Sequence, residues 1–134
     1  MRKFRALLVM AVLASPLQGA AQSLLVPMDR SQGNHLKAYG LTYWSLEQYG
    51  EAEGLLNYRG GSFLLPDLQG LRRQAALRGI TVEPVSGADI AGIRAVIADS
   101  NMETVILEKA PKIAIYTPPN STPWDDAVTM ALEY

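Results

Sequence analysis

Apolar and polar positions alternate along this chain in blocks that predict strands and helices in turn. Residues 24–26 (LLV) form a short apolar run of strand type, and Pro27 limits it to an edge or to its last residues. A polar loop follows, Asp29 to His35, in which Ser31 or Asn34 is placed to cap the next helix. That helix is expected from about His35 to Tyr49, with Leu36, Tyr39, Tyr43 and Leu46 at helical spacing as its buried stripe and Trp44 widening it. Gly50 is placed for a left-handed stop. Residues 54–58 (GLLNY) are the second strand candidate, broken by Arg59-Gly60-Gly61-Ser62. Residues 63–65 (FLL) end at Pro66 and read as a short strand or a loop pinned into the core.

The second half repeats the alternation. Asp67 is placed to cap a helix over residues 68–78, with Leu68, Leu71 and Ala75 inward and Gly79 at its end. Residues 80–85 alternate as a strand should. Ser86-Gly87-Ala88-Asp89 has the form of a capping box, before a helix that buries Ile90, Ile93, Val96 and Ile97. Residues 104–107 suggest another strand, and residues 112–117 (KIAIYT) are the clearest strand of all. Thr122, Pro123 and Asp125 together mark a further helix start. Strand and helix in alternation predict an α/β fold with a mainly parallel sheet covered by helices. The last strand and helix start lack the next strand of their unit, so the fold is expected to be incomplete at the C-terminus, with the missing part of the same protein as a partner.

Three units follow from this. Residues 1–21 read as a secretory signal peptide: Arg2, Lys3 and Arg5, then an apolar run over residues 6–14, then Gly19-Ala20-Ala21. The run is shorter than the roughly 20 residues that span a bilayer. Residues 22–108 form an N-terminal α/β unit, and residues 109–134 begin a second one, with Lys109-Ala110-Pro111 as the seam. The chain is therefore expected to be exported, to the periplasm or the exterior, with no transmembrane segment after the signal is removed. Cysteine is absent, which excludes disulfides, thiolate metal sites and a thiol nucleophile.

Charge narrows the partners. Three of the 12 basic residues lie in the signal segment, leaving nine against 13 acidic ones. No basic stripe remains for nucleic acid; Arg72, Arg73 and Arg78 read as a solvated helix face. Candidate chemistry gathers in loops that a parallel sheet would bring to one end: Asp29 to His35, Asn57 to Ser62, and Thr117 to Thr122. Arg30 or Arg59 could grip a carboxylate or phosphate at two points, and Gly60-Gly61 could offer backbone N–H groups to an anion or simply turn the chain. His35 is either a general base or a polar residue in a helix's first turn. As a lone histidine it gives no metal site. The candidate ligand-binding set is Asp29, Arg30, His35, Asn57, Arg59, Gly60, Gly61 and Ser62, for a small polar or anionic ligand; no cofactor, metal or catalytic residue is indicated.

The segments LLVPMDRSQGNHLKAYGLTYWSLE, LLNYRGGSFLLP and EKAPKIAIYTPPNSTPWDDAVTMALEY resemble a family of exported bacterial proteins labelled asparagine synthetase B. The resemblance covers nearly all of the chain after residue 21. It implies a longer protein, of which this is an N-terminal piece. It further implies a class I glutamine-amidotransferase-like α/β region beginning near Lys112. At face value the label implies an ATP-dependent amide-transferring ligase. Glutamine-dependent asparagine synthetases carry a cysteine directly after the initiator Met, where this chain has Arg2. They also carry an S-G-G-x-D-S loop for ATP, of which Arg59-Gly60-Gly61-Ser62-Phe63 keeps only part. The resemblance therefore transfers no catalytic residue.

Overall fold

The computed structural model describes residues 23–114. The signal-peptide segment, the expected helix from Thr122 and the loop from Thr117 to Thr122 lie outside the described residues. Five strands and three helices follow one another: β1 (Ser23–Val26), α1 (His35–Tyr49), β2 (Ala52–Leu56), β3 (Ser62–Pro66), α2 (Gln69–Arg78), β4 (Glu83–Val85), α3 (Gly87–Asp99) and β5 (Glu103–Leu107). A single 3-10 turn, Tyr58–Gly60, joins β2 to β3.

The sheet is ordered β4-β1-β3-β2-β5, and every neighbouring pair is antiparallel. The mainly parallel sheet expected from the alternation is thus corrected. The strands joined by a helix do run in the same direction, since β1 and β2 are both antiparallel to β3. They are not neighbours, because β3 inserts between them and β1 inserts between β3 and β4. The first four strands and two helices make the interleaved βαββαβ arrangement of ferredoxin-like folds. α3 and β5 add to it, and β5 pairs with the outer edge of β2, Gly54 opposite Val105.

Successive strand residues face opposite sides, and β1 serves two cores at once. Leu24 and Val26 pack with Ala38 and Leu41 of α1 and with Leu71 and Ala75 of α2. Leu25 packs with Leu55, Leu64 and Val85 against Ile93 and Ile97 of α3. Two helices cover one face and one helix covers the other.

Several boundaries shift from the sequence reading. Asn34 caps α1, its Oδ1 accepting from the Lys37 N–H at 3.0 Å, while Ser31 is engaged elsewhere. Asp67 caps nothing; it pairs with Arg72, whose Nη2 is 2.6 Å from its Oδ2, and α2 begins beyond Leu68. Residues 63–65 are part of a full strand. The strand expected over residues 80–85 is confined to Glu83–Val85. The Ser86–Asp89 capping box is formed, and Gly50 and Gly79 end their helices at φ 74° and 66°. The described residues of the expected strand at 112–117, Lys112 to Ala114, are irregular and exposed. No helix of the described residues is long and apolar enough to cross a membrane.

Candidate functional site

Because β1 and β2 run in the same direction, the loops that follow them leave the same end of the sheet. They meet there, as the sequence suggested for the first two of its three loops. The β2–β3 reversal is tight. Asn57 and Arg59 have φ of 65° and 45°, and Gly60 and Gly61 have φ of 85° and 90°. A Cβ on Gly60 would sit 2.4 Å from the Met28 carbonyl oxygen, so only glycine lets the turn rest on the β1–α1 loop. The Met28 N–H donates to the Arg59 carbonyl at 3.2 Å, and the buried Ser62 hydroxyl donates to the same carbonyl at 3.3 Å. At Gly60 the glycine pair is packed against protein backbone.

Arg59 reaches from this turn into a ring of acceptors. Its Nε–H donates to Asp29 Oδ2 at 2.7 Å, and Nη1 and Nη2 donate to Glu83 Oε2 and Oε1 at 2.7 and 3.0 Å. Nη2 also donates to Ser31 Oγ at 3.2 Å. The two-point grip that the sequence offered to a ligand carboxylate is made to Glu83 of the same chain. Asp29 accepts further bonds from the Ser31 N–H and hydroxyl at 2.9 and 2.5 Å. The Arg59 guanidinium and then these Ser31 donors hold the Asp29 carboxyl well below the usual carboxylate range. Glu83 first and Asp29 second raise the Arg59 pKa, so the guanidinium is permanently charged. The cluster ties the β1–α1 loop, the β2–β3 turn and the start of β4 together.

His35 Nε2 lies 3.1 and 3.2 Å from the Met28 and Asp29 carbonyl oxygens. Both partners are acceptors, which assigns the ring hydrogen to Nε2. The ring binds the first turn of α1 to the preceding loop. Arg30 is exposed and makes no ion pair among the described residues, and Asn57 contributes its backbone bend. The structure therefore brings Asp29, His35, Arg59, Gly60 and Ser62 together.

Two members of the region were missed, Glu83 and Gln32. Glu83 stands opposite Leu25 in the β1–β4 register, which places it beside Arg59. Gln32 is buried, its Nε2 donating to the Pro27 and Thr81 carbonyls at 3.0 and 3.1 Å and its Oε1 accepting from the Thr81 N–H at 3.0 Å. Only an antiparallel β4 would have revealed them, since it brings the segment before β4 to the end of β1.

A groove of about 550 Å³ opens beside the cluster, between α3 and the β1–β4 half of the sheet. Tyr58, Val85 and Val96 give it apolar surface, and Arg59, Glu83 and Asp89 supply its charge. Two carboxylates line it against one guanidinium, and Asp29 lies behind that guanidinium. The Ser86 hydroxyl and N–H lower the Asp89 pKa, so this carboxylate stays ionised at neutral pH. No group of three or more His, Cys, Asp or Glu among the described residues is placed to hold a metal ion. No protein-family model, no curated protein and no solved structure matches this chain.

Proposed function

We propose that this chain is the ligand-binding part of an exported protein, and that the groove between α3 and the β1–β4 half of the sheet holds a small polar ligand. The observation that carries this reading is the acidic and apolar lining of the groove beside a guanidinium already held by protein acceptors. Arg59 offers an anion little, because four of its five N–H groups already point at Asp29, Glu83 and Ser31. The charge balance favours a ligand with an apolar stem and an amine or guanidinium end, paired to Asp89 and the outer face of Glu83. A rigid framework supports the groove, since the clamp fixes Glu83 through two bonds.

The probes are free arginine and free aspartate, titrated into isotope-labelled chain and read by amide chemical shifts. Arginine is expected to move the resonances of Tyr58, Asp89 and Gly92, and aspartate to leave them in place. Val96→Trp fills the groove from an exposed position and is expected to weaken arginine at least tenfold, about 1.4 kcal/mol. Silence with arginine, or arginine shifts that survive the Val96→Trp substitution, would reject the groove as the site.

A further inference from the structure

The α1–α2 layer carries charge of one sign at the loop end of the sheet. α1 starts at that end because it follows β1. α2 finishes there because it follows β3, which runs the opposite way. The two helix ends meet: the Lys37 ammonium donates to the Arg78 carbonyl at 3.4 Å, and a Cβ on Gly33 would lie 4.0 Å from the Gly79 carbonyl oxygen. Arg30, Lys37, Arg73 and Arg78 are exposed, and none of them forms an ion pair among the described residues. Neither residues 30–46 nor residues 68–82 include an aspartate or a glutamate. Asp29 and Glu83 are held by Arg59.

Two leucines sit among these cations. Leu36 is 82% exposed and Leu77 is 71% exposed, more than any other large apolar side chain of the described residues. Leu36 precedes Lys37 in the first turn of α1. Leu77 lies between Arg78 and Arg73, the latter one helical turn back on the same face. The first turn of α1 has a lysine and no acidic residue, although the start of a helix is its positive end. That arrangement is unfavourable in water and becomes favourable against a negative surface.

We propose that this end of the α1–α2 layer docks on the surface of an anionic lipid bilayer. Leu36 and Leu77 enter the boundary between headgroups and acyl chains, and the surrounding cations meet the headgroup phosphates. A soluble polyanion would match the charge but give the leucines nothing to enter, which is why a lipid surface is the partner. The docking is peripheral, since no helix of the described residues is long and apolar enough to cross a membrane. α3 covers the opposite face of the sheet, so docking leaves its groove open to solution.

The chain has no cysteine, so an introduced one reports on a single place. Leu36→Cys and Leu77→Cys, each carrying a polarity-sensitive dye, are made in the full chain, with Ala91→Cys, exposed on α3, as the control. Vesicles are phosphatidylcholine alone or phosphatidylcholine mixed with phosphatidylglycerol. The mixed vesicles are expected to shift dye emission to the blue at positions 36 and 77 but not at 91, and added salt to weaken the effect. Phosphatidylcholine alone is expected to leave all three unchanged. Adding Lys37→Glu and Arg73→Glu is expected to raise the lipid concentration needed at least tenfold, with the circular dichroism spectrum unchanged. Dyes at 36 and 77 that stay in water with mixed vesicles overturn the proposal, including when residues 1–21 bind the lipid. Dyes already shielded without vesicles overturn it and assign this face to another part of the chain. The same shift with soluble polyphosphate, or a lipid response indifferent to the two charge reversals, overturns it equally.

Discussion

At the scale of single residues, Arg59 decides how the loop end of the sheet is held. The sequence marked it as a grip for a ligand, since an arginine beside two glycines suits that role. The missing information was distance: Asp29 is 30 positions away and Glu83 24, and only the fold brings both to one guanidinium. Asp29 gives the cluster a pH dependence whose sign is fixed. Its folded-state pKa is lowered, so on acidification below about pH 4 the unfolded chain takes up a proton before the folded chain does. The contribution of this carboxylate to stability is complete above that range and is lost as the pH falls through it. Asp29→Asn is expected to lower stability at neutral pH and to flatten the acid limb of the stability curve. Urea unfolding across the acid range measures both; an acid limb as steep as that of the wild type would show that Asp29 is not responsible.

At the scale of elements, most helices and strands were legible because caps and stops are local. The Ser86–Asp89 box, Gly50 and Gly79 act on backbone within a few residues of themselves. The phase of α1 was not legible. Of the stripe expected inside, Leu36, Tyr39, Tyr43 and Leu46, only Leu46 is buried, and it shares the interior with Ala38, Leu41, Thr42 and Ser45. Small residues let the helix axis approach the sheet closely, while Tyr39 lies over the flank, edge-on to Phe63 at 5.4 Å. Helical spacing permits either stripe, and the shape of the sheet selects between them. Val96 of α3 is half-exposed for the same reason, although Ile93 and Ile97 are buried as expected. Leu41→Ala is therefore expected to cost about 2–5 kcal/mol. Leu36→Ala, at a position 82% exposed, is expected to stay within about 0.5 kcal/mol. Chemical denaturation of the two variants distinguishes the stripes, and equal losses would put the aromatic one back in the core.

At the scale of the whole molecule, strand order was the hidden variable. Local pattern says that a helix connects two strands in the same direction; it does not say what comes between them. β3 between β1 and β2 turned an expected parallel sheet into an antiparallel one. It still left the loops after β1 and β2 at a common end, which is why their meeting could be expected even under the wrong topology. β1 also joins the two cores, with Leu24 on one face and Leu25 on the other, both essentially inaccessible. Leu24→Ala and Leu25→Ala are each expected to cost about 2–5 kcal/mol. They are further expected to lower the midpoint of one shared thermal transition, as followed by both aromatic and backbone signals. Two separated transitions in either variant would mean that the α3 layer melts independently. The interleaving also sets a timetable for synthesis. A nascent chain that has reached Leu56 holds two strands with no neighbour for either, and β1 waits longest, because both strands that flank it are translated later. β1 is the first of the described strands to be made, yet it is enclosed on both sides only once β4 has been translated, and for that interval its Leu-Leu-Val stretch is what a holding chaperone would grasp.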